Sequence, residues 1–166
     1  MKENLYWTRM ETPIGILTLV SSEAGLFAVR LPGEGELREL RRKYPGHGWI
    51  EDASRNGEAV RQLRGYFDGS RTDFDLPLDL RVTPFQKQVL ERVRGVPHGG
   101  KKSYGEIARE IGKPEAARAV GMANRNNPLP IVVPCHRIVG ADGSLTGYGG
   151  GLALKAKLLE MEKSRR

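Results

Sequence analysis

The apolar residues of this chain change their spacing near residue 80, which rules out a single uniform architecture. Before that point, runs at 5–10, 15–21 and 25–31 are rich in Val, Leu, Ile, Thr and aromatic residues. Thr12-Pro13 and Ser22-Glu23-Ala24-Gly25 separate them as turns, so the runs predict a small antiparallel sheet. A helix is predicted over 58–67, where Val60, Leu63 and Phe67 recur at helical spacing, and Asp68-Gly69-Ser70 stops it. The stretch 72–82 alternates and contains Pro77, and so reads as a linker with some extended character. The expected organisation is a sheet-and-helix scaffold over residues 1–80 and a second domain over residues 81–166.

The second half carries helical spacing instead. Thr83-Pro84 supplies an N-cap and a proline at the first helical position, and Phe85, Val89 and Val93 then line one face until Gly95 and Pro97. Ser103-Tyr104-Gly105-Glu106 reads as a capping box, followed by Tyr104, Ile107, Ala108 and Ile111 on one stripe. Gly112-Lys113-Pro114 breaks this helix, and a second short helix follows with Ala116, Ala119, Val120 and Ala123 facing inward. Two short helices joined by a glycine-containing turn form the helix-turn-helix pattern. In that pattern the outward face of the second helix reads a groove; here it offers Arg118 and Arg125, with small residues around them, including Ala117 and Gly121.

Charge supports the same division. Residues 81–166 hold 16 basic and 7 acidic side chains, whereas residues 1–80 hold 11 and 13. All the excess positive charge lies in the second half, as expected of a nucleic-acid-binding unit joined to a neutral scaffold. No apolar stretch approaches the roughly 20 residues of a membrane span. The start MKENLYWTRMETPIG reaches Asn and Glu before any apolar run, so no secretory signal is expected. One cysteine, Cys135, excludes an internal disulfide and a cysteine-rich zinc site, and it fits a reducing, cytoplasmic setting.

The most informative run is Asn127-Pro128-Leu129-Pro130-Ile131-Val132-Val133-Pro134-Cys135-His136-Arg137-Ile138-Val139-Gly140. Residues 131–133 read as a short β-type run that Pro134 halts before the thiol. Neighbours on an extended strand point to opposite faces, so coupling Cys135 to His136 needs a bridging water or a local turn. A lone cysteine is ordinarily a small buried hydrophobe. A reactive thiolate requires a depressed pKa, which nearby His or Arg can supply. A nucleophile and base then want a third group, and the terminal helix over 152–162, with Leu154, Leu158 and Met161 inward, offers Glu160 or Glu162. Spacing alone does not choose between them.

From Ser103 to Glu162 the chain closely resembles the O6-alkylguanine-DNA alkyltransferase family, also called methylated-DNA–protein-cysteine methyltransferases. The resemblance is carried by SYGEIA, ARAVG, NP followed by IVVPCHRIVG, GSLTGYGGGL and the closing LLEME; in the first half TPIG and RQLRGYFDG carry it. It implies an α/β (α+β) protein with a ribonuclease-H-like N-terminal half and a helical, winged helix-turn-helix-type half for DNA binding and catalysis. It implies that Cys135 is the acceptor thiol of a single-turnover methyltransferase. His136 would be the base acting through a water, Glu162 the acid that orients it, and Asn127 the bond across the turn before the active-site strand. Arg118 would fill the gap left by a flipped nucleotide and Tyr104 would rotate the neighbouring phosphate. Ala117 and Arg125 would lie on the DNA face, and Tyr148, Gly149 and Pro130 would line the base pocket.

Gly149 stands where the family often carries Ser or Ala, which removes a side-chain hydroxyl and leaves a backbone N–H as donor. The implied partner is double-stranded DNA bearing O6-alkylguanine, with O4-alkylthymine a further candidate. A monomer with no metal, no organic cofactor and no membrane is expected. Two rival readings are a lesion sensor without transfer chemistry, which Cys135 argues against, and a Cys–His–Glu hydrolase, for which a helix-turn-helix serves no purpose.

Overall fold

The computed structural model describes residues 2–33 and 37–165, which divide into two compact units, residues 1–81 and 82–166. The first unit is built on four strands, β1 (Asn4–Thr12), β2 (Gly15–Ser21), β3 (Leu26–Arg30) and β4 (Gly48–Glu51), in the order β3-β2-β1-β4. The first three pair antiparallel, as their alternation predicts. β4 joins β1 in parallel, with Asn4 opposite Gly48 and Trp7 opposite Glu51, so the sheet is mixed and not purely antiparallel. A four-residue strand whose partner lies forty residues earlier leaves no local signature.

Residues of both parities are buried along β2, from Leu17 to Ser21, so the sheet is covered on both faces. On one side Leu5, Val20, Phe27 and Ala28 pack with Leu37 and with Leu40 of the short helix α1 (Arg38–Lys43), while Trp7, Tyr44 and Trp49 flank them. Helix α2 (Gly57–Asp68) buries Ala59, Gln62, Leu63, Tyr66 and Phe67, and ends at Gly69 in the left-handed conformation. Just before it, Asn56 is buried. Its amide accepts from the Ser21 hydroxyl at 2.6 Å and donates to the carbonyls of Tyr6 and Asp52 at 3.1 and 3.2 Å, pinning the helix entrance to the sheet.

The stretch expected to be a linker belongs to this unit. Leu26 donates to the Pro77 carbonyl at 2.9 Å and accepts from Asp79 at 2.8 Å, so residues 77–79 extend the sheet beyond β3. The approach is close: a Cβ on Gly25 would lie 2.4 Å from the Pro77 oxygen. Arg81 then closes on Asp79 at 2.7 Å and on Glu3.

In the second unit, helix α3 (Pro84–Arg94) starts at Thr83, whose side chain accepts from the Gln86 N–H, and buries Val89, Leu90 and Val93. Helix α4 (Tyr104–Glu110) starts at Ser103, which accepts from the Glu106 N–H at 3.1 Å. Gly112, at φ 76°, turns the chain out of α4, and the Lys113 N–H closes back on the Ala108 carbonyl. Helix α5 (Ala117–Arg125) follows and buries Val120, Ala123 and Asn124. Ala119, expected inside, is exposed; the inward stripe runs one step round the helix, leaving Arg118, Ala119, Met122 and Arg125 on the open face. Strand β5 (Lys102–Ser103) pairs in parallel with β6 (Ile138–Val139), and helix α6 (Leu152–Lys163) closes the unit.

Replacing Asn56 by Ala removes three hydrogen bonds, two of them buried, and leaves the Ser21 hydroxyl and two carbonyls to find other partners. The expected loss is about 2–3 kcal/mol of stability, read as a lowered urea midpoint with unchanged slope.

Candidate active site

The nine residues from Ile131 to Val139 are all buried, with the single thiol among them. Residues 131–133, read from the sequence as a β-type run, do not form a strand. Ile131 sits at φ 74°, a left-handed conformation that a β-branched residue adopts only under constraint, and one worth about 1–3 kcal/mol. The constraint is visible. Asn127 donates to the Val133 carbonyl at 2.8 Å and accepts from the Leu129 N–H at 2.9 Å, while Val133 donates to the Leu129 carbonyl at 2.8 Å. Asn127 thus knots the turn after α5, and Pro130 is buried within it.

Pro134 then leads into a single 3-10 turn, Cys135–Arg137. A local turn, one of the two ways left open for coupling Cys135 to His136, thus replaces the alternation that would have set them on opposite faces. Asn124 of α5, fully buried, donates to the Cys135 carbonyl at 3.1 Å and fixes the thiol's backbone. Cys135 itself is 4% exposed.

Behind the turn lies a buried charge cluster. His136 Nε2 meets Glu162 Oε2 at 2.6 Å, with both side chains inaccessible to solvent. The same carboxylate accepts from Arg137 through Nε at 2.8 Å and Nη2 at 3.0 Å, and from the Gly99 N–H at 3.3 Å. The remaining Arg137 nitrogen, Nη1, donates to the Val96 carbonyl at 2.7 Å. Glu160 is exposed and takes no part, so the geometry chooses Glu162. With Nε2 committed to the carboxylate, His136 Nδ1 is the basic nitrogen, and among the described residues it has no hydrogen-bond partner. Burial pushes the His136 pKa below its ordinary value, against the opposing pull of Glu162. The imidazole is therefore neutral at physiological pH, the form that accepts a proton.

The helix that brings Glu162 departs from expectation. Its fully buried stripe is Lys155, Leu158 and Glu162, while Leu154 and Met161 are only half-buried. Two of those three positions carry charge, which an apolar-stripe reading assigns to solvent. Sequence reasoning missed Arg137, which bonds Glu162, and Asn124, which bonds the Cys135 carbonyl; the adjacency of Arg137 to the Cys-His pair was the one available signal.

The other expected residues are placed as follows. Arg118 and Arg125 project from the open face of α5, with Ala117 half-buried at its first turn. Tyr104, at the start of α4, is half-buried. Its hydroxyl donates to the Thr146 carbonyl at 2.8 Å, and its ring lies 3.8 Å from where a Cβ on Gly121 would stand. Tyr148 is buried and Gly149 exposed in the loop before α6. Among the described residues, no group of His, Cys, Asp and Glu is arranged to hold a metal ion, and no helix is long and apolar enough to cross a membrane.

Fold and site together define a protein in which a buried thiol, next in sequence to a buried His–Glu pair, accompanies a helix-turn-helix. Residues 84–164 match the DNA binding domain of 6-O-methylguanine DNA methyltransferase, and residues 5–80 match its ribonuclease-like domain. The chain belongs to the 6-O-methylguanine DNA methyltransferase family. The methylated-DNA–protein-cysteine methyltransferase of Mycobacterium tuberculosis strain H37Rv is 47% identical over 161 residues, covering 97% of this chain and 94% of the relative. Its counterpart in Methanosarcina acetivorans is 42% identical over 160 residues, covering 96% and 99%. The crystal structure of Mycobacterium tuberculosis OGT in complex with DNA superposes with a TM-score of 0.86 at 46% identity, covering 96% of this chain and 94% of that one.

Two outcomes test the buried cluster. Glu162→Gln leaves the Arg137 charge uncompensated and is expected to cost on the order of 3 kcal/mol in urea unfolding. Because the folded state holds His136 neutral, the unfolded chain binds more protons below its pKa of about 6.5, and stability falls as pH drops through that value. The His136→Gln variant is expected to lack that part of the pH dependence, measured as urea midpoints at about pH 7.5 and 5.5.

Proposed function

We propose that this protein repairs O6-alkylguanine in duplex DNA by taking the alkyl group onto Cys135, one group per molecule. The observation that carries the reading is the buried His136–Glu162 pair at 2.6 Å, which leaves His136 Nδ1 as a base in the residue next to the only thiol. The Cys135 proton passes to that nitrogen. The thiolate then attacks the alkyl carbon: the S–C bond forms, the C–O6 bond breaks, and the electron pair leaves with the guanine oxygen. A proton taken up at guanine N1 restores the normal base. Sulfur suits this displacement because it is a soft nucleophile toward an sp3 carbon. The product is a thioether, which is why the reaction ends after one turn.

The target oxygen lies within the duplex, so the nucleotide has to leave the stack. In this reading Arg118 enters the gap, Tyr104 turns the adjoining phosphate, and Ala117 and Arg125 lie along the backbone. Tyr148, Gly149 and Pro130 receive the base, with the Tyr148 hydroxyl and the Gly149 N–H meeting charge as it develops on the leaving group. The excess of basic residues after position 80 supports DNA as the partner. A lone thiol that has to stay reduced supports a cytoplasmic location.

Incubation with a duplex containing one O6-methylguanine, followed by intact mass and peptide mapping, is expected to show one methyl group on Cys135 and guanine restored in the DNA. Cys135→Ala should bind the lesion duplex and stay unmodified. An unmodified parent protein that still binds would overturn transfer in favour of lesion sensing. Arg118→Ala is expected to slow transfer from duplex by at least about tenfold while sparing transfer from the free O6-methylguanine base, since only the duplex has to be opened.

A further inference from the structure

Both tryptophans of the chain, Trp7 and Trp49, lie on one face of the first unit's sheet, at the margin of the cluster that α1 covers. Trp49 stands opposite Leu5 in the parallel pair, which makes it the diagonal neighbour of Trp7 across β1 and β4. Cover runs out along this face of β1: Leu5 is buried, Trp7 is half-buried, and Arg9 and Glu11 are exposed. Opposite Glu11, Ile16 is 52% exposed and carries the apolar surface onward.

Cations sit over the rings. The Arg9 guanidinium lies 5.3 Å from the centre of Trp7, and that of Arg41 lies 5.9 Å from Trp49. The Lys43 ammonium lies 5.7 Å from Tyr44. Helix α1 reads Arg-Glu-Leu-Arg-Arg-Lys, and its one carboxylate, Glu39, is bonded to Arg30 at 3.2 Å. Among the described residues, Arg38, Arg41, Arg42 and Lys43 meet no carboxylate. The unit as a whole carries more acidic than basic side chains, so this positive charge is a local concentration. Glu11 and Glu51 are the carboxylates on the same part of the sheet.

An arginine laid over an indole keeps its charge and outward donors, and together they make a flat surface edged with cations. Unpaired nucleotides call for that combination, since their bases stack on aromatic or guanidinium planes while their phosphates seek positive charge. A duplex has its bases already stacked on one another. An acidic peptide would use the cations and leave the indoles idle.

We propose that Trp7, Trp49, Arg9 and Arg41 form a second nucleic-acid site, on the N-terminal sheet, which takes neighbouring nucleotides of single-stranded DNA. Bases stack against the indoles and their guanidiniums, and the remaining basic side chains of α1 meet the phosphates. The site uses none of the residues assigned to alkyl transfer, so it does not rest on that reading.

The chain holds no other tryptophan, so its intrinsic fluorescence reports on this face alone. Titrating the intact protein with a lesion-free thymidine dodecamer is expected to quench that fluorescence to saturation. Arg41→Glu, at an exposed position, is expected to weaken binding about tenfold or more and to lessen its salt dependence. Trp7→Phe and Trp49→Phe keep a ring for stacking; each is expected to bind with near-parental affinity and to show quenching of its remaining indole.

Absence of quenching, or equal quenching by a duplex of the same length, would overturn the proposal. Equal quenching by polyphosphate or polyglutamate, which carry charge without bases, would do the same. A uridine dodecamer bound more than about tenfold tighter than the thymidine one would replace DNA by RNA as the ligand. Methyl transfer from a lesion duplex is a separate readout. A protein that repairs without quenching loses this site alone, and one that quenches without repairing loses the transfer reading alone.

Discussion

The C-terminal unit is organised around one buried carboxylate. Glu162 receives His136, Nε and Nη2 of Arg137 and the Gly99 N–H, and so gathers the chain after α3, the 3-10 turn and α6 at a single point. Such a group is costly to desolvate, and an apolar replacement of the whole cluster would serve stability at least as well. What the carboxylate adds is orientation. It holds His136 by one ring nitrogen and leaves the other available, and it neutralises Arg137, whose charge would otherwise oppose protonation of His136.

The turn ahead of the thiol works by the same logic of constraint. Asn127 and the Leu129–Val133 bond hold Ile131 in a backbone region it would not choose. Asn124 then fixes the carbonyl of Cys135 from α5. The helix with Arg118 and Arg125 on its open face is thereby joined by hydrogen bonds to the backbone of the acceptor residue. A displacement of α5 reaches the sulfur without passing through solvent.

Features that depend on nearby residues were legible in the sequence. Thr83 and Ser103 cap their helices because a hydroxyl needs only the N–H three residues on, and the three N-terminal strands follow from alternation and turns. PCHR marked the site by its chemistry. Features that depend on distant partners were hidden. Gly48–Glu51 is a strand only because β1 offers it an edge, and residues 77–79 are ordered only because Gly25 lets them approach β3. Apolar patterning left Glu160 and Glu162 undecided and gave Lys155 no inward place, since nothing local announces that a charge has a buried partner. The turn after Pro134 was left open beside a bridging water, while the left-handed backbone of Ile131 had no local sign, because a β-branched apolar run reads as extended chain.

The depth of Cys135 carries one more consequence, which concerns waiting time. A residue that reacts once has no second chance, so any encounter with peroxide, a disulfide or a stray electrophile before the lesion arrives wastes the whole molecule. Oxidation of thiols follows their exposure as well as their ionisation. With 4% of its surface exposed, within a buried run from Ile131 to Val139, this sulfur is kept from most reagents in bulk water. Its reactivity is governed by admission: the same burial that demands a flipped base preserves the thiol in storage.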